Sequence, residues 1–299
     1  MGLAVITIFC NESFRIPKWQ EYYSEYKSEV RRHIIVDNNS TDEETEKVRV
    51  AFPEARHIKL DKNGGVTAAY NAGVREALSE PAVNAVMLVC NDIKISAESV
   101  RAMRSALDAE KQIGMATPVL LKKDSEIIED GGCTISFCLF MKPQHVGETL
   151  EDLEKKNIIV KSVTGGVNLA SREFYELVGE QDEQLFMYSD EIDVGIKAEK
   201  AGFKMVMVRN AKAWHQHENP PGKKRRSTVS DYLMARNKVY LAKKYYGSVR
   251  MLLVFLFFVF FNLARYIVWL IKGRDTAVPK QSMRGAVDGL KGRMGKPEL

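Results

Sequence analysis

The sequence is poor in cysteine and histidine. Its 299 residues include four cysteines and five histidines, and no two cysteines form a CxxC pair. A dense disulfide framework is therefore excluded and a zinc site has no support, so we expect a reduced, intracellular chain. Glycine-rich phosphate loops are missing too, because neither GxGxxG nor a Walker sequence occurs. Dinucleotide binding and P-loop chemistry are therefore not favoured.

A secretory signal is also missing. The first residues, MGLAVITIFCNES, are apolar but have no basic n-region and no small-residue cleavage site, so they predict a first buried strand. Short runs rich in branched residues alternate with helical patterns, which predicts the α/β class. We expect strands at LAVITIF, HIIVD, AVMLVC and KMVMV. We expect helices, the last of them capped by Ser96, at Ile16–Val30, Thr41–Ala51, Val66–Leu78 and Ala97–Glu110.

Acidic residues are scarce in the last quarter of the chain. Residues 220–299 hold 17 Lys/Arg against 4 Asp/Glu, a net charge of +13; because the whole chain is +5, residues 1–219 carry −8. The boundary is HENPPGKKRRST, which ends in the basic run Lys223, Lys224, Arg225 and Arg226. Such a run suits anionic lipid. Nucleic-acid binding is the weaker alternative, because no nucleic-acid motif accompanies the run and an apolar helix follows it.

One long apolar run stands out at Met251–Ile271. Its 21 residues are enough to cross a bilayer core, which needs about 20. Basic residues flank it on both sides, and the stripe Asn262, Arg265, Trp269 and Lys272 is polar. This pattern favours a helix that lies in the membrane interface or dips into one leaflet. A single span and a buried core or dimer-forming helix remain open.

Polar side chains follow two predicted strands at the points where they end. HIIVDNNSTDEE ends a strand at Asp37, and VMLVCNDI delivers Asn91 and Asp92 after four apolar residues. Ligands of open α/β sheets bind at the carboxyl ends of strands. Asp37 is therefore placed to contact a nucleotide, and Asp92 to hold a divalent cation. Each motif alone also fits an ordinary Asx or helix-capping turn.

Two further motifs open helices. DKNGGVTAAYNAG places two glycines before a helix whose N-terminal amides suit an anion. MYSDEIDVGIKAEKAG puts Asp190, Glu191 and Asp193 at a helix start. There each carboxylate stabilises the helix by ~0.3–1 kcal/mol, and one of them can serve as a proton acceptor. His215, after the strand KMVMV, is a candidate metal ligand.

In this order the motifs resemble the family 2 glycosyltransferases of the GT-A fold, particularly the bacterial rhamnosyltransferase-like members. The resemblance covers roughly Leu3–His217 and touches YLMARNKVYLAKKYY and MRGAVDGLKGRMGK. It implies a GT-A domain with a mixed central sheet at residues 1–218. The segments after it are a basic linker and amphipathic helix at 219–250, an apolar membrane-associated helix at 251–272 and a basic tail at 273–299.

The resemblance implies a role for each motif. The donor nucleotide would be bound at the strand ends and the glycine loop by Phe9, Asn11, Asp37, Asn39, Asn63, Gly64, Asn71 and Asn91. A Mg²⁺ or Mn²⁺ ion would be held by Asp92 and His215. The acceptor side would be formed by Gly165, Gly166 and Asp193.

Two positions depart from the family pattern. The first position of the metal-binding DxD motif is Cys90, so only Asp92 offers a carboxylate there. The element that holds the general base reads Asp190-Glu191, where Glu-Asp is the commoner order. Alignment puts Glu191 at the base position, and Asp190 stays an alternative.

The implied function is inverting transfer of rhamnose or another hexose. The donor is a nucleotide-diphosphate sugar of UDP or dTDP type, and the acceptor is a hydroxyl of a lipid-linked or cell-surface glycan. The apolar helix and the basic tail would hold the enzyme on the anionic, cytoplasmic face of the cell membrane as a peripheral or monotopic protein. No nucleic-acid partner is expected, and homo-oligomers are left open.

Two other functions are weighed against this one. A non-catalytic GT-A-like subunit of a membrane glycan assembly is favoured by the two departures from the family pattern. A nucleotidyltransferase shares nucleotide-binding α/β architecture. It is disfavoured, because the start of the chain has no glycine-rich, basic phosphate loop.

Overall fold

The computed structural model describes residues 2–153, 156–163, 165–216 and 228–298. His217 and the basic run Lys223–Arg226 lie outside these residues. The β-strands are β1 Leu3–Phe9, β2 Arg32–Asp37, β3 Arg56–Lys59, β4 Ala85–Val89, β5 Ile93–Ile95, β6 Ile113–Lys122, β7 Ile128–Asp130, β8 Cys133–Ile135, β9 Met141–Pro143, β10 Ile158–Val160, β11 Val167–Ser171 and β12 Lys204–His215.

Helices cover both faces of the sheet, and two more helices follow at the C-terminal end of the chain. They are α1 Ile16–Tyr26, α2 Asp42–Ala51, α3 Gly65–Leu78, α4 Ala97–Ala109, α5 Arg172–Val178, α6 Asp190–Lys200, α7 Thr228–Ile271 and α8 Ala277–Lys291. Three 3-10 turns accompany them, at Ser13–Arg15, Lys27–Glu29 and Glu183–Leu185.

Ten of the twelve described strands form one mixed sheet in the order β10-β12-β6-β11-β4-β1-β2-β3, with β5 beside β12 and β7 beside β6. β1 is parallel to both β2 and β4, and β3 continues this parallel half beyond β2. β11 is antiparallel to both β4 and β6, so it separates the parallel half from the β6–β12 pair. β8 and β9 form a separate two-stranded sheet.

The core shows the period-2 alternation of a sheet that is covered on both faces. Leu3 and Val5 of β1 belong to the hydrophobic cluster that includes Val100 and Met103 of α4. Their neighbours Ala4 and Ile6 belong to the cluster on the other face, which includes Ala69, Tyr70 and Val74 of α3. Successive residues of β1 therefore bury opposite sides, and the runs of apolar residues in the sequence follow from this.

The predicted helices are confirmed to within a few residues, and two of them begin with a capping hydrogen bond. Thr41 accepts a hydrogen bond from the Glu44 amide, and Ser96 accepts one from the Ser99 amide. The first predicted helix was too long, since the α-helix ends at Tyr26 and a 3-10 turn follows. The last predicted strand was too short: His215 is its final residue and does not lie past its end.

The two C-terminal helices, α7 and α8, pack tightly on each other and on the rest of the fold. α7 is interrupted at Gly247, whose φ of 83° is left-handed. A Cβ atom at Gly285 of α8 would overlap the backbone of Tyr232, and one at Gly289 would overlap the backbone of Arg236. The two glycines therefore allow α8 to contact the backbone of α7 directly.

The apolar second half of α7 has one buried face and one exposed face. Val254, Phe258 and Asn262, spaced at i, i+4 and i+8, are buried. Asn262 donates a hydrogen bond to the Ser282 hydroxyl of α8 at 3.0 Å. Asn262, the first residue of the polar stripe, therefore pairs with a neighbouring helix. Among the described residues, one helix, Thr228–Ile271, is long and apolar enough to cross a membrane.

We expect Gly285→Ala to lower the free energy of unfolding by about 1–3 kcal/mol, because the new methyl group must displace the backbone of Tyr232. Thermal melting measures the change. Lys291→Ala, at an exposed position of the same helix, is the control and should be nearly neutral. Equal stability of the two variants would show that α8 does not need this close contact.

Candidate active site

The ends of the parallel strands β1, β2 and β4 form the candidate active site. Asn11 follows β1, Asp37 ends β2, and Asn91 and Asp92 follow β4. Because these strands run in one direction, their carboxyl ends meet at one edge of the sheet. The structure thus brings together residues that are far apart in the sequence.

The turn after β2 uses its polar groups largely on itself. Asp37 is 2 % exposed, and its carboxylate accepts hydrogen bonds from the Ser40 amide at 2.7 Å and the Thr45 hydroxyl at 2.5 Å. The Asn11 amide donates to the Ser40 hydroxyl, and the Asn11 side-chain oxygen accepts from the Thr41 amide. These hydrogen bonds fix the turn, and they leave little of the Asp37 carboxylate available to bind a ligand.

Two other predicted donor residues support the fold through their side chains. The Phe9 ring is buried beside Trp19, with the ring centroids 6.3 Å apart, so only its backbone faces the strand end. Asn39 has a left-handed φ of 66° and donates to the Leu60 and Asp61 carbonyls. Asn39 therefore joins two turns at the rim of the cleft.

The Asn-Gly-Gly loop is ordered by an asparagine pair. The Asn63 side-chain oxygen accepts from the Gly65 amide and from the Asn38 side chain, and the Gly64 amide donates to the Asn38 side-chain oxygen at 3.0 Å. Gly65 has a φ of 81°, and a Cβ atom there would overlap the Phe186 carbonyl. This glycine lets the donor-side loop touch the segment that leads into α6.

Asn71 strengthens the same junction. It lies on α3, is buried, and exchanges two hydrogen bonds of 2.9 Å with the backbone of Gln181. Its amide group also donates to the Glu183 carboxylate at 3.1 Å. Asn71 therefore fastens the donor-side helix to the segment before α6.

Asp92 lies in a group of charged side chains. Its carboxylate oxygen Oδ2 is 2.5 Å from Nη1 of Arg15 and 3.6 Å from Nε2 of His215. Asn91 donates to Glu12, and Glu12 is in turn 3.6 Å from Arg15. Burial alone would raise the pKa of Asp92, but the hydrogen bond and charge of His215, with the charge of Arg15, outweigh it and lower the pKa to about 2. Asp92 is therefore an anion at every working pH.

The residues at this position fit a divalent cation held by two protein ligands. The Asp92 carboxylate and the His215 imidazole lie close enough to share one ion, and both are common ligands for such ions. The neighbouring Cys90 thiol is buried, which raises its pKa to about 12. No group of three His, Cys, Asp or Glu side chains suited to a metal occurs within the described ranges.

The acidic pair at the start of α6 faces the loop before β11. A Cβ atom at Gly165 would overlap Oε1 of Glu191, so the Glu191 carboxylate lies directly against the Gly165 backbone. The Ser162 hydroxyl donates to the Glu191 carbonyl at 3.2 Å. The Gly166 carbonyl accepts from the Cys90 amide at 2.9 Å, which joins this loop to the end of β4. The predicted acceptor loop therefore contacts both the acidic pair and the end of β4.

Asp190 and Glu191 have different electrostatic surroundings. Burial, and after it the charge of Glu191, raises the pKa of Asp190 far above its usual range. Burial also raises the pKa of Glu191, but the positive charge of Lys238 opposes this rise. Asp190 is therefore the protonated partner and Glu191 the carboxylate that has a cation nearby. This difference favours Glu191 as the proton acceptor.

Asp193 lies elsewhere. It is fully buried and forms ion pairs of 2.8 Å with Lys197 and with Lys244 of α7, and the Tyr245 hydroxyl donates to it at 2.5 Å. Its carboxylate faces α7, away from the Gly165 loop where the acceptor side was expected. Asp193 joins two helices and leaves no exposed surface to an acceptor.

The sequence interpretation missed three residues at the site. Arg15 precedes a helix and had no motif around it, although the structure pairs it with Asp92. Asn237 and Lys238 belong to α7, which was treated as part of a membrane attachment segment. The signal was the string ARNK inside an apolar helical pattern, because buried polar residues on such a helix need partners in the domain.

Comparison with known proteins shows similarity to glycosyltransferases. Residues 4–120 match the sequence model described as "Glycosyl transferase family 2". An "N-acetylglucosaminyl-diphospho-decaprenol L-rhamnosyltransferase" from Mycobacterium tuberculosis is 25% identical over 235 residues, which cover 72% of this chain and 75% of that protein. The "Low-salt glycan biosynthesis hexosyltransferase Agl10" from Haloferax volcanii is 22% identical over 276 residues, which cover 91% of this chain and 86% of that protein.

Solved structures show the same fold. A mannosyltransferase from Pyrobaculum calidifontis in complex with GDP-Man and Mn²⁺ has a TM-score of 0.58 and 14% identity, covering 97% of this chain and 87% of that one. GalNAc-T7 with UDP, GalNAc and Mn²⁺ has a TM-score of 0.64 and 14% identity, covering 81% of this chain. The match spans about half of the longer protein, 48%. The chain therefore has the fold of these glycosyltransferases, its residues 4–120 resemble family 2, and over 72% of its length it is similar to a rhamnosyltransferase.

Proposed function

We propose that the protein is an inverting glycosyltransferase in which Glu191 is the general base. The observation that carries this proposal is the placement of Glu191: its carboxylate lies against the Gly165 backbone, beside the strand ends that hold Asn91 and Asp92. A base on one side of a cleft and an anionic, metal-suited group at the strand ends are what in-line displacement at a sugar carbon requires.

Each residue of the site has a separate role in the proposed reaction. Glu191 takes the proton of the acceptor hydroxyl as that oxygen attacks the anomeric carbon from the side opposite the diphosphate. Asp190 stays protonated beside it, and Asp92 and His215 hold the donor end of the cleft. A Mg²⁺ or Mn²⁺ ion bound at Asp92 and His215 would supply charge for the leaving diphosphate. Arg15, whose Nη1 lies 2.5 Å from the Asp92 carboxylate, would add positive charge at the same end of the cleft.

The substrates are proposed from the relatives. The Mycobacterium protein is named as a rhamnosyltransferase that acts on a lipid-linked diphospho-sugar, and the solved structures contain UDP or GDP-Man. We therefore propose a nucleotide-diphosphate sugar of UDP or dTDP type as donor and a lipid-linked or cell-surface glycan as acceptor, with rhamnose or another hexose transferred.

The exposed face of α7 supports a site of action at the membrane. Large apolar side chains project from its second half: Leu252, Leu253, Phe257, Phe260, Phe261, Leu263, Ile267, Val268, Leu270 and Ile271. The opposite face is buried under α8, which carries basic residues such as Lys280 and Arg284. A helix fastened in this way lies along a membrane surface more readily than it crosses one. We propose peripheral or monotopic attachment to the cytoplasmic face of the cell membrane.

Substitution of the acidic pair tests the assignment of the base. We expect Glu191→Gln to lower kcat by about 10²–10⁴-fold, because a positioned base contributes that much. Asp190→Asn replaces a neutral acid by a neutral amide, so kcat should stay within about tenfold. Nucleoside diphosphate release measures both variants. A larger loss for Asp190→Asn than for Glu191→Gln would make Asp190 the base.

Sedimentation with anionic phospholipid vesicles tests membrane attachment. We expect the double variant Phe260→Asp, Ile271→Asp to lower the fraction bound at least about tenfold, because each buried apolar side chain contributes about 1.5–3 kcal/mol. Val50→Asp, at a position that is 71 % exposed on α2, is the matched control and should sediment like the unchanged protein. Undiminished binding of the double variant would refute attachment through α7.

A further inference from the structure

The first residues of α7 bind the segment that leads into the acidic pair. The side chain of Asn237 is fully buried. Its amide group donates to three backbone carbonyls of that segment, those of Leu185 at 3.0 Å, Met187 at 2.9 Å and Tyr188 at 2.8 Å. One side chain of α7 thus binds most of the turn before α6.

This turn contains three residues in an uncommon backbone conformation. Phe186, Tyr188 and Ser189 have φ values of 65°, 66° and 64°, in the left-handed region that residues with a Cβ atom seldom adopt. Such a conformation persists only where the surroundings impose it. Asp190 and Glu191 follow directly, so the position of the Glu191 carboxylate depends on whatever imposes this backbone.

Arg236 completes the attachment. Its guanidinium donates to the Leu185 carbonyl at 2.9 Å and to the Gly295 carbonyl at 2.6 Å, and its Nε donates to the Asn237 side-chain oxygen at 3.0 Å. The last bond fixes the Asn237 amide so that its nitrogen points at the turn. The Gly295 amide donates to the Gln184 carbonyl at 2.8 Å, so the C-terminal tail closes over the same segment.

Lys238 brings a charge to the same place. It is 4 % exposed, and its ammonium lies 5.2 Å from the centre of the Phe140 ring. Burial lowers its pKa to about 8, and the negative charge of Glu191 opposes that fall. The ammonium is therefore charged below about pH 8, and Glu191 is the carboxylate that it supports.

We propose that Asn237 of α7 is a positioning residue for the general base, because it fixes the turn that presents Glu191. Helix α7 is thereby part of the proposed catalytic site, although it lies outside residues 4–120, which match the family model. This inference rests on the proposed role of Glu191.

Several other groups also influence Glu191. Asp190 precedes it on α6, Asp130 lies on β7, and the titratable groups of Cys133 and Tyr188 are close enough to be affected by its charge. Asp130 opposes ionisation of Glu191, because it is also a carboxylate. Lys238 is the cation of this set, so its removal has a predictable sign.

The pH dependence of kcat/KM tests Lys238. Loss of the cation raises the pKa of Glu191, so Lys238→Met should lose activity as the pH falls. We expect the ratio of kcat/KM at about pH 7.5 to that at about pH 5.5 to grow roughly three- to tenfold relative to the unchanged protein. Lys238→Arg keeps the charge and should restore the original ratio. A ratio that Lys238→Met leaves unchanged would show that the charge of Lys238 does not stabilise ionised Glu191.

A split between binding and turnover tests Asn237. We expect Asn237→Ala to lower kcat by about 10–100-fold, because a misplaced base is inefficient, while calorimetric titration with UDP and dTDP gives Kd values within about threefold of the unchanged protein. Equal losses of binding and turnover, or no loss of turnover, would show a merely structural role. If this variant does not fold, Asn237→Gln, which keeps the amide group but changes its reach, is measured in its place and should show the same split between kcat and Kd. Full activity of Glu191→Gln would instead refute the proposed function itself.

Discussion

Two adjacent carboxyl groups lie at the start of α6, Asp190 buried and Glu191 half-buried, and most features of the site can be understood as accommodating them. Two such adjacent acids cannot both ionise cheaply, because desolvation and mutual repulsion act together. The surroundings separate their roles: Asp190 keeps its proton, whereas Glu191 has Lys238 nearby. The glycine at 165 leaves the space that the Glu191 carboxylate occupies. The result is one acid and one base in consecutive positions.

The C-terminal helices connect this pair to the surface proposed to meet the membrane. The first half of α7 holds the turn before α6 through Asn237 and Arg236, and its second half presents the exposed apolar face. α8 packs on both halves through glycine contacts and through the bond between Asn262 and Ser282. Removal of α7 would therefore remove the groups that hold the turn before Glu191. A catalytic fragment cut before α7 would therefore be a poor substitute for the whole chain.

The sequence predicts the regular elements well where the signal is local. Thr41 and Ser96 cap their helices as expected, and the apolar runs at β1, β2 and β4 are strands. Short strands such as β5 and β7 have no local signal, because each has three residues and exists only by pairing with a longer neighbour. They were not foreseen.

The site is predictable in part for the same reason. Asp92 was proposed from a motif at a strand end, Glu191 from the acidic start of a helix together with the family resemblance, and Gly165 from the resemblance alone. What each side chain contacts depends on tertiary packing: Asp193 turns to Lys244 of α7, and Asn71 binds the backbone of Gln181. Arg15, Asn237 and Lys238 belong to no motif. Their importance appears only when helices that are distant in sequence are brought to the strand ends.

The most direct test of inverting sugar transfer is product analysis. The whole protein in anionic vesicles would be given a panel of UDP- and dTDP-sugars with a polyprenyl-diphosphate saccharide as acceptor. The account predicts one nucleoside diphosphate released for each sugar transferred, and NMR of the product should show an anomeric configuration opposite to that of the donor. A product with retained configuration, release of pyrophosphate, or no transfer from any donor in the panel would contradict it.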